Sequence, residues 1–362
     1  MKRIFLILSA LLFLLSCQPP EDTSGLLTYT NSAGKKVRVT TKNWETKRAI
    51  ILDSLQAAMG KLPEIKNLPA PEARYADTLQ GEGYTRYTIF MKATADEIVP
   101  AYLYIPKPKA GALASKKYPA MLVLHSTGDL GKGIVDGQSS LENRACGKEL
   151  AQRGYVVIAP DYPSFGDLSD YDFENDRYES GTMKGIFNHI RCVDFLQRMP
   201  EVYPDRIGVI GHSLGGHNAM FVAAFDQRLQ VIVSSCGWTQ HDYYDIGPVA
   251  EEQYGGRLGP YAQDRYMPFF RTKYQLDPAR IPYDYHEIIA ALAPRPFFSN
   301  SPIGDSNFDV KGVEAGVKLA SEAYKLFGKE ELLHVVYPDD KHNFPPEIRE
   351  QAYQFIDRYL KK

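Results

Sequence analysis

Short apolar runs rich in β-branched residues alternate with helical patterns through most of the chain. Arg86–Met91 and Ala101–Ile105 read as an antiparallel strand pair, closed by Pro106. Continuous apolar runs follow at Pro119–His125, Tyr155–Ala159, Ile207–Ile210, Val231–Val233, Phe297–Ser299 and Leu333–Tyr337. Unbroken apolar strands are covered on both faces. Helical patterns over about 140–153, 182–199, 218–225, 310–327 and 346–360 separate or flank them. The alternation predicts an α/β fold: a mostly parallel sheet of about eight strands, helices on both faces. Ahead of it, 18–35 read as a polar tether and Trp44–Met59 as a helix, with Ile50, Ile51, Leu55 and Met59 on one face. The Pro-rich stretch 61–80 reads as a surface wrap. Between 237 and 285 the alternation stops and aromatic residues gather, from Trp238 to Tyr285. A long interruption after a central strand predicts a lid over the carboxyl ends of the strands, where ligands of such sheets bind.

Composition bounds this picture. The chain has 362 residues, 44% hydrophobic, enough for a sizeable core. The net charge is −2 without a long run of one sign, which argues against a nucleic-acid partner. Met1-Lys2-Arg3 precedes an apolar stretch, Ile4–Leu15, too short to span a bilayer and fitting a signal peptide. It ends in Leu14-Leu15-Ser16-Cys17, which resembles the lipobox of bacterial lipoproteins. The resemblance implies lipidation at Cys17, anchoring to membrane and a place in the cell envelope, on the periplasmic or cell-surface side. The plainer alternative is a cleaved signal peptide with an incidental cysteine. The expected division is 1–16 signal peptide, 17–83 tether and helical extension, and 84–362 catalytic domain with its lid at about 237–285. Cys146, Cys192 and Cys236 are odd in number and widely spaced, so they read as buried thiols, and no Cys/His spacing marks a zinc site.

The chemistry centres on Gly211-His212-Ser213-Leu214-Gly215, between a buried strand and a helical pattern. A sharp turn here would lift the Ser213 hydroxyl above the sheet and set the Leu214 amide at a helix N-terminus, where negative charge is favoured. A nucleophilic serine needs a base, and the base needs a carboxylate. Of eight histidines, His342 lies in the loop after the last strand; His241, in the lid, is the hardest of the others to set aside. For the acid, Asp305 follows Gly304 directly after the Phe297–Ser299 strand, while Asp309 starts the next helix, a common N-cap position. Asp305 is preferred and Asp309 stays open. The spacing from 305 is no calcium loop, because Val310 and Gly316 stand where Gly and Glu are needed. The second oxyanion donor is expected after the Pro119–His125 strand, at Thr127, with Ser126 second. The scheme needs no metal or cofactor.

The order Ser213, Asp305, His342, with the turn and the donor loop, resembles the α/β-hydrolase superfamily over roughly residues 85–360. Gly154–Pro163, Ala293-Pro294-Arg295-Pro296 and His342-Asn343-Phe344-Pro345 are similar to the branch holding dienelactone hydrolases, acetyl xylan esterases and prolyl oligopeptidase domains. The resemblance implies a serine ester hydrolase. True dienelactone hydrolases carry a cysteine nucleophile where this chain has Ser213, and prolyl oligopeptidases carry a propeller for which this chain has no room. An envelope location and an aromatic lid point to glycan esters, with acetyl, aroyl or methyl groups removed. A serine peptidase and an inactive anchored binding module are the alternatives.

Overall fold

The computed structural model describes residues 22, 24–108 and 117–361; the stretch expected to be a signal peptide and Cys17 lie outside them. In chain order the elements are β1 (Thr28–Thr30), β2 (Lys36–Arg38), α1 (Trp44–Met59), β3 (Ala73–Gln80), β4 (Tyr84–Lys92), β5 (Ile98–Pro106) and β6 (Tyr118–Leu124). Then come α2 (Cys146–Gln152), β7 (Val156–Pro160), α3 (Gly181–Arg198), β8 (Val202–His212), α4 (Leu214–Phe225) and β9 (Leu229–Ser235). The interruption holds α5 (Pro248–Tyr254), α6 (Phe269–Thr272) and α7 (Tyr285–Leu292), before β10 (Phe297–Asn300), α8 (Val310–Leu326), β11 (Leu333–Val336) and α9 (Pro346–Leu360).

Nine strands form one sheet in the order β11-β10-β9-β8-β6-β7-β5-β4-β3. Every pairing from β11 to β7 is parallel, and β7 to β3 pair antiparallel. The sheet is thus the expected one with one strand more. Along β6, side chains alternate between two cores, as a strand's period of two requires. Ala120, Leu122 and Leu124 face the core built with α1, α3, α4, α7 and α8. Met121 and Val123 face the core built with α2 and α9.

The extra strand is β3, in the stretch read as a surface wrap. It is almost wholly exposed, pairs with β4 on one side only and carries a register shift between Tyr75 and Thr78. Edge strands are kept polar and irregular because an apolar free edge invites aggregation, so ARYADTLQ lacks the alternation that marks a strand. The sheet therefore reaches ahead of residue 84. The described part of the tether is also ordered against the body: β1 and β2 pair as a hairpin, and Leu26 is fully buried. His286 Nε2 lies 3.3 Å from the Ser24 carbonyl. The helix expected from about 140 begins only at Cys146. Asn143 takes a left-handed conformation (φ 62°), which a helix does not accommodate.

Two glycines and a buried ion pair hold the loop after β6 against the loop after β7. Asp161 is fully buried and accepts from the Lys132 backbone (2.7 Å), the Lys132 ammonium (2.6 Å) and the Asp167 backbone (3.0 Å). A Cβ at Gly131 or Gly166 would come within 2.2 Å of the Asp161 carboxylate. Replacing Lys132 would leave that carboxylate buried without its cation, so Lys132→Met is expected to cost about 3–5 kcal/mol in urea unfolding. The exposed Lys148→Met should stay within about 0.5 kcal/mol of the parent.

Candidate active site

Strand β8 ends at His212 and α4 begins at Leu214, leaving Ser213 alone between them with φ 55° and ψ −120°. A serine holds that backbone only when its surroundings dictate it. Gly211 and Gly215 do so: a Cβ on either would meet backbone atoms at 2.2 and 2.0 Å, of Gly215 and Leu124 respectively. The Ser213 N–H donates to the Ser235 carbonyl at 2.8 Å, and its carbonyl accepts from His217 N at 2.9 Å. The turn thus stands on β9 and opens directly into α4, whose first amides have no intrahelical partner.

Asp305 and His342 meet. The imidazole Nδ1 lies 2.9 and 3.0 Å from the two carboxylate oxygens of Asp305. The same carboxylate accepts from the backbone N–H of Asn307 (2.8 Å) and Phe308 (3.2 Å), and its side chain is 1% exposed. Asp309 instead caps α8, accepting from Lys311 N at 2.8 Å. Of the two candidate acids, Asp305 is the one at the imidazole.

The His342 loop is held from three directions. Arg144 donates to the His342 carbonyl at 3.1 Å. Asn300 Nδ2 and the Cys236 thiol donate to the Asn343 carbonyl at 2.9 and 3.3 Å. Beneath the loop lies His212, its ring 4.9 Å from that of His342 and its Nδ1 2.9 Å from Ser235 Oγ. Burial, then the nearby Arg144 charge, holds His212 well below the usual imidazole range, so it sits under His342 uncharged. Burial likewise brings His189, His217 and His241 to about 3. His241 is enclosed by Phe270, Tyr283 and Tyr285, which removes it as a base for Ser213. These braces escape sequence reading, because Arg144, Asn300 and Cys236 come from three distant segments without a shared motif. Among the described residues, Cys236, Asp305 and His342 are grouped closely enough to offer a metal three donors. The imidazole and carboxylate are already bonded to each other. Burial and the Asp305 carboxylate push the Cys236 thiol well above its usual range, which keeps it protonated and a poor ligand.

The loop after β6 completes the arrangement. Tyr162 N donates to His125 Nε2 at 3.0 Å, which makes Nδ1 the protonated nitrogen, and Nδ1 faces the Ser126 carbonyl at 2.7 Å. Ser126 is buried, while Thr127 turns outward, its hydroxyl 3.3 Å from that of Tyr266. A cavity of about 180 Å³ is lined by Ser213, Leu214 and Thr127 together, under residues of the lid. Ser126 does not line it. The lid aromatics divide. Trp238, Phe270, Tyr283 and Tyr285 are buried in packing, with the Trp238 indole donating to Ser299 Oγ at 3.0 Å. Tyr244, Tyr254, Tyr261 and Tyr266 reach the cavity. The aromatic content of the lid thus reaches the cavity through these four rings, of which Tyr244 and Tyr261 are themselves largely buried.

Comparison with known proteins agrees with this architecture. The Dienelactone hydrolase family model matches residues 99–246, and the Glucuronyl esterase, fungi model matches residues 173–328. The chain is 28% identical over 284 residues to YtaP of Bacillus subtilis (strain 168), covering 75% of this chain and 87% of that one. It is 24% identical over 218 residues to carbohydrate esterase MZ0003 of an unknown prokaryotic organism, covering 55% and 48%. A carbohydrate esterase family 15 glucuronoyl esterase from Caldicellulosiruptor kristjansonii superposes with a TM-score of 0.67 at 20% identity, over 92% of this chain and 89% of that one. A mostly parallel sheet with helices on both faces and a serine on the turn after its central strand give the chain an α/β-hydrolase fold, and it is similar over 99–246 to dienelactone hydrolases and over 173–328 to fungal glucuronyl esterases.

Proposed function

We propose that the protein is a serine carboxylic-ester hydrolase that removes acyl or alkyl ester groups from carbohydrates. The observation that carries the reading is the pairing of His342 Nδ1 with both oxygens of Asp305, the imidazole lying 4.9 Å from the ring of His212, the residue before the strained Ser213. With Nδ1 so engaged, Nε2 is free to take the serine proton. Ser213 Oγ attacks the ester carbonyl as His342 accepts that proton, and the carbonyl oxygen becomes an oxyanion. The amides of Leu214 and Thr127 receive it, each contributing about 3–4 kcal/mol to transition-state binding. His342 then protonates the leaving alcohol, and the acyl group stays on Ser213. A water, deprotonated by His342, attacks the acyl-enzyme and releases the acid. Asp305 remains ionised throughout and stabilises the imidazolium. The carbohydrate part of the reading is supported by the similarity to MZ0003 and to the glucuronoyl esterase fold.

Ser213→Ala is expected to lower kcat on a nitrophenyl acyl ester by at least about 10⁴-fold, and Asp305→Asn by about 10⁴-fold, with the unfolding midpoint retained. Turnover that survives Ser213→Ala would remove the serine from the mechanism. A panel of acetylated, feruloylated and methyl-esterified sugars beside proline-containing peptides tests the substrate class; cleavage of peptides alone would replace the esterase with a peptidase.

The location forms part of the same proposal. It is supported by the basic, apolar and Leu14–Cys17 segments in sequence, and places the enzyme on the bacterial envelope through a lipid on Cys17. Growth with labelled palmitate should label the parent and leave Cys17→Ser unlabelled and released into the soluble fraction. Equal partitioning of the two would replace the lipoprotein reading with a cleaved signal peptide.

A further inference from the structure

The identity of the acyl group is written in the cavity beside Ser213. That cavity touches Ser213, Leu214 and Thr127, yet His342 does not line it. In acyl transfer the imidazole hands its proton to the leaving alcohol. The alcohol therefore lies on the His342 side, and the cavity is left for the acyl group.

Its walls are unusual in two respects. Tyr244, Tyr254, Tyr261, Tyr266 and Phe308 supply flat faces, with the Tyr244 ring 4.4 Å from that of Tyr261 and 5.9 Å from that of Phe308. Thr127, Gln263, Asn307 and the tyrosine hydroxyls add neutral polar groups, and among the described residues no Asp, Glu, Lys or Arg lines the space. The one imidazole, His217, is 4% exposed and lies 3.0 Å from the Tyr285 hydroxyl. Burial brings it to about 3, so it carries no charge at neutral pH. Gln263 commits an amide N–H to the Pro260 carbonyl at 2.9 Å. A charged acyl group entering here would lose part of its water and meet no counter-charge in the lining. An acetyl methyl would leave most of the volume unfilled, whereas a ring fills it and makes offset or edge contacts with the tyrosines.

Resting on the serine esterase reading, we propose that this cavity is the acyl-group pocket and selects uncharged aromatic acyl groups over acetyl and over acyl groups bearing a carboxylate. The test uses the full chain and 6-O-acyl esters of methyl glucoside, which share one alcohol: acetyl, benzoyl, 4-methylbenzoyl and 4-carboxybenzoyl. The expected kcat/KM for benzoyl exceeds that for acetyl by about tenfold or more, and 4-carboxybenzoyl falls about tenfold or more below 4-methylbenzoyl. Tyr254→Ala should lower the benzoyl-to-acetyl ratio, and Gln263→Arg should narrow the gap between the carboxyl and methyl compounds. Equal or better use of acetyl, indifference to the carboxylate, or ratios unmoved in both variants would overturn the proposal. Acetyl release that disappears in Ser213→Ala would, in that event, leave the esterase reading standing. Absence of Ser213-dependent hydrolysis on all four esters would remove both.

Discussion

The close approach of two backbones at the end of β8 is the constraint on which the rest depends. Gly215 lies against the Leu124 carbonyl at the end of β6, and Gly211 lies against Gly215 itself, with no room for a Cβ on either. The chain can leave the sheet and enter α4 there only by passing Ser213 through a left-handed conformation. Strain of this kind costs on the order of 1–3 kcal/mol. It persists because β6, β8 and β9 are hydrogen-bonded neighbours buried between two layers of helices. The sheet is thus a support for one residue's backbone as much as a core.

Around that residue the loops are positioned by specific polar contacts in addition to apolar anchors such as Phe344 and Phe165. The loop after β6 is fixed by the Lys132–Asp161 pair and by His125, whose two nitrogens are both spoken for. The loop carrying His342 is fixed by Arg144, Asn300 and Cys236, which bind its carbonyls and leave the imidazole to Asp305. Neutral His212 beneath adds no positive charge that would oppose protonation of His342. The His342 loop can therefore be irregular in backbone and still definite in geometry, because its His342 and Asn343 carbonyls are each hydrogen-bonded.

What was legible in the chain follows from the range of the interactions. The central strands stood out because burial on both faces leaves an unbroken apolar run, and the Ser213 turn because its glycines are neighbours in sequence. Pattern preferred Asp305 and left Asp309 open. Both follow the same strand, and only the position of His342, 37 residues beyond Asp305, decides between them. β3 was hidden by the polarity that an edge strand requires. The late start of α2 was hidden because Asn143 and Arg144 bond to Asn343 and His342, some 200 residues away. The lid's aromatic content was plain, but not its division between packed and cavity-facing rings. That division depends on partners such as Ser299 and His217 contributed by other strands and helices.

The buried Leu26 and the hydrogen bonds of Asp22 to Ser24, Leu27 and Thr28 tie the start of the described chain to the catalytic body. Between Cys17 and Asp22 run five peptide units, with a greatest span of about 18 Å. With a lipid on Cys17, the enzyme would work on a lead shorter than its own sheet is wide. Its reach would be set by how far a polymer chain approaches the membrane, and release of the anchor would change which substrates it meets without touching the catalytic geometry.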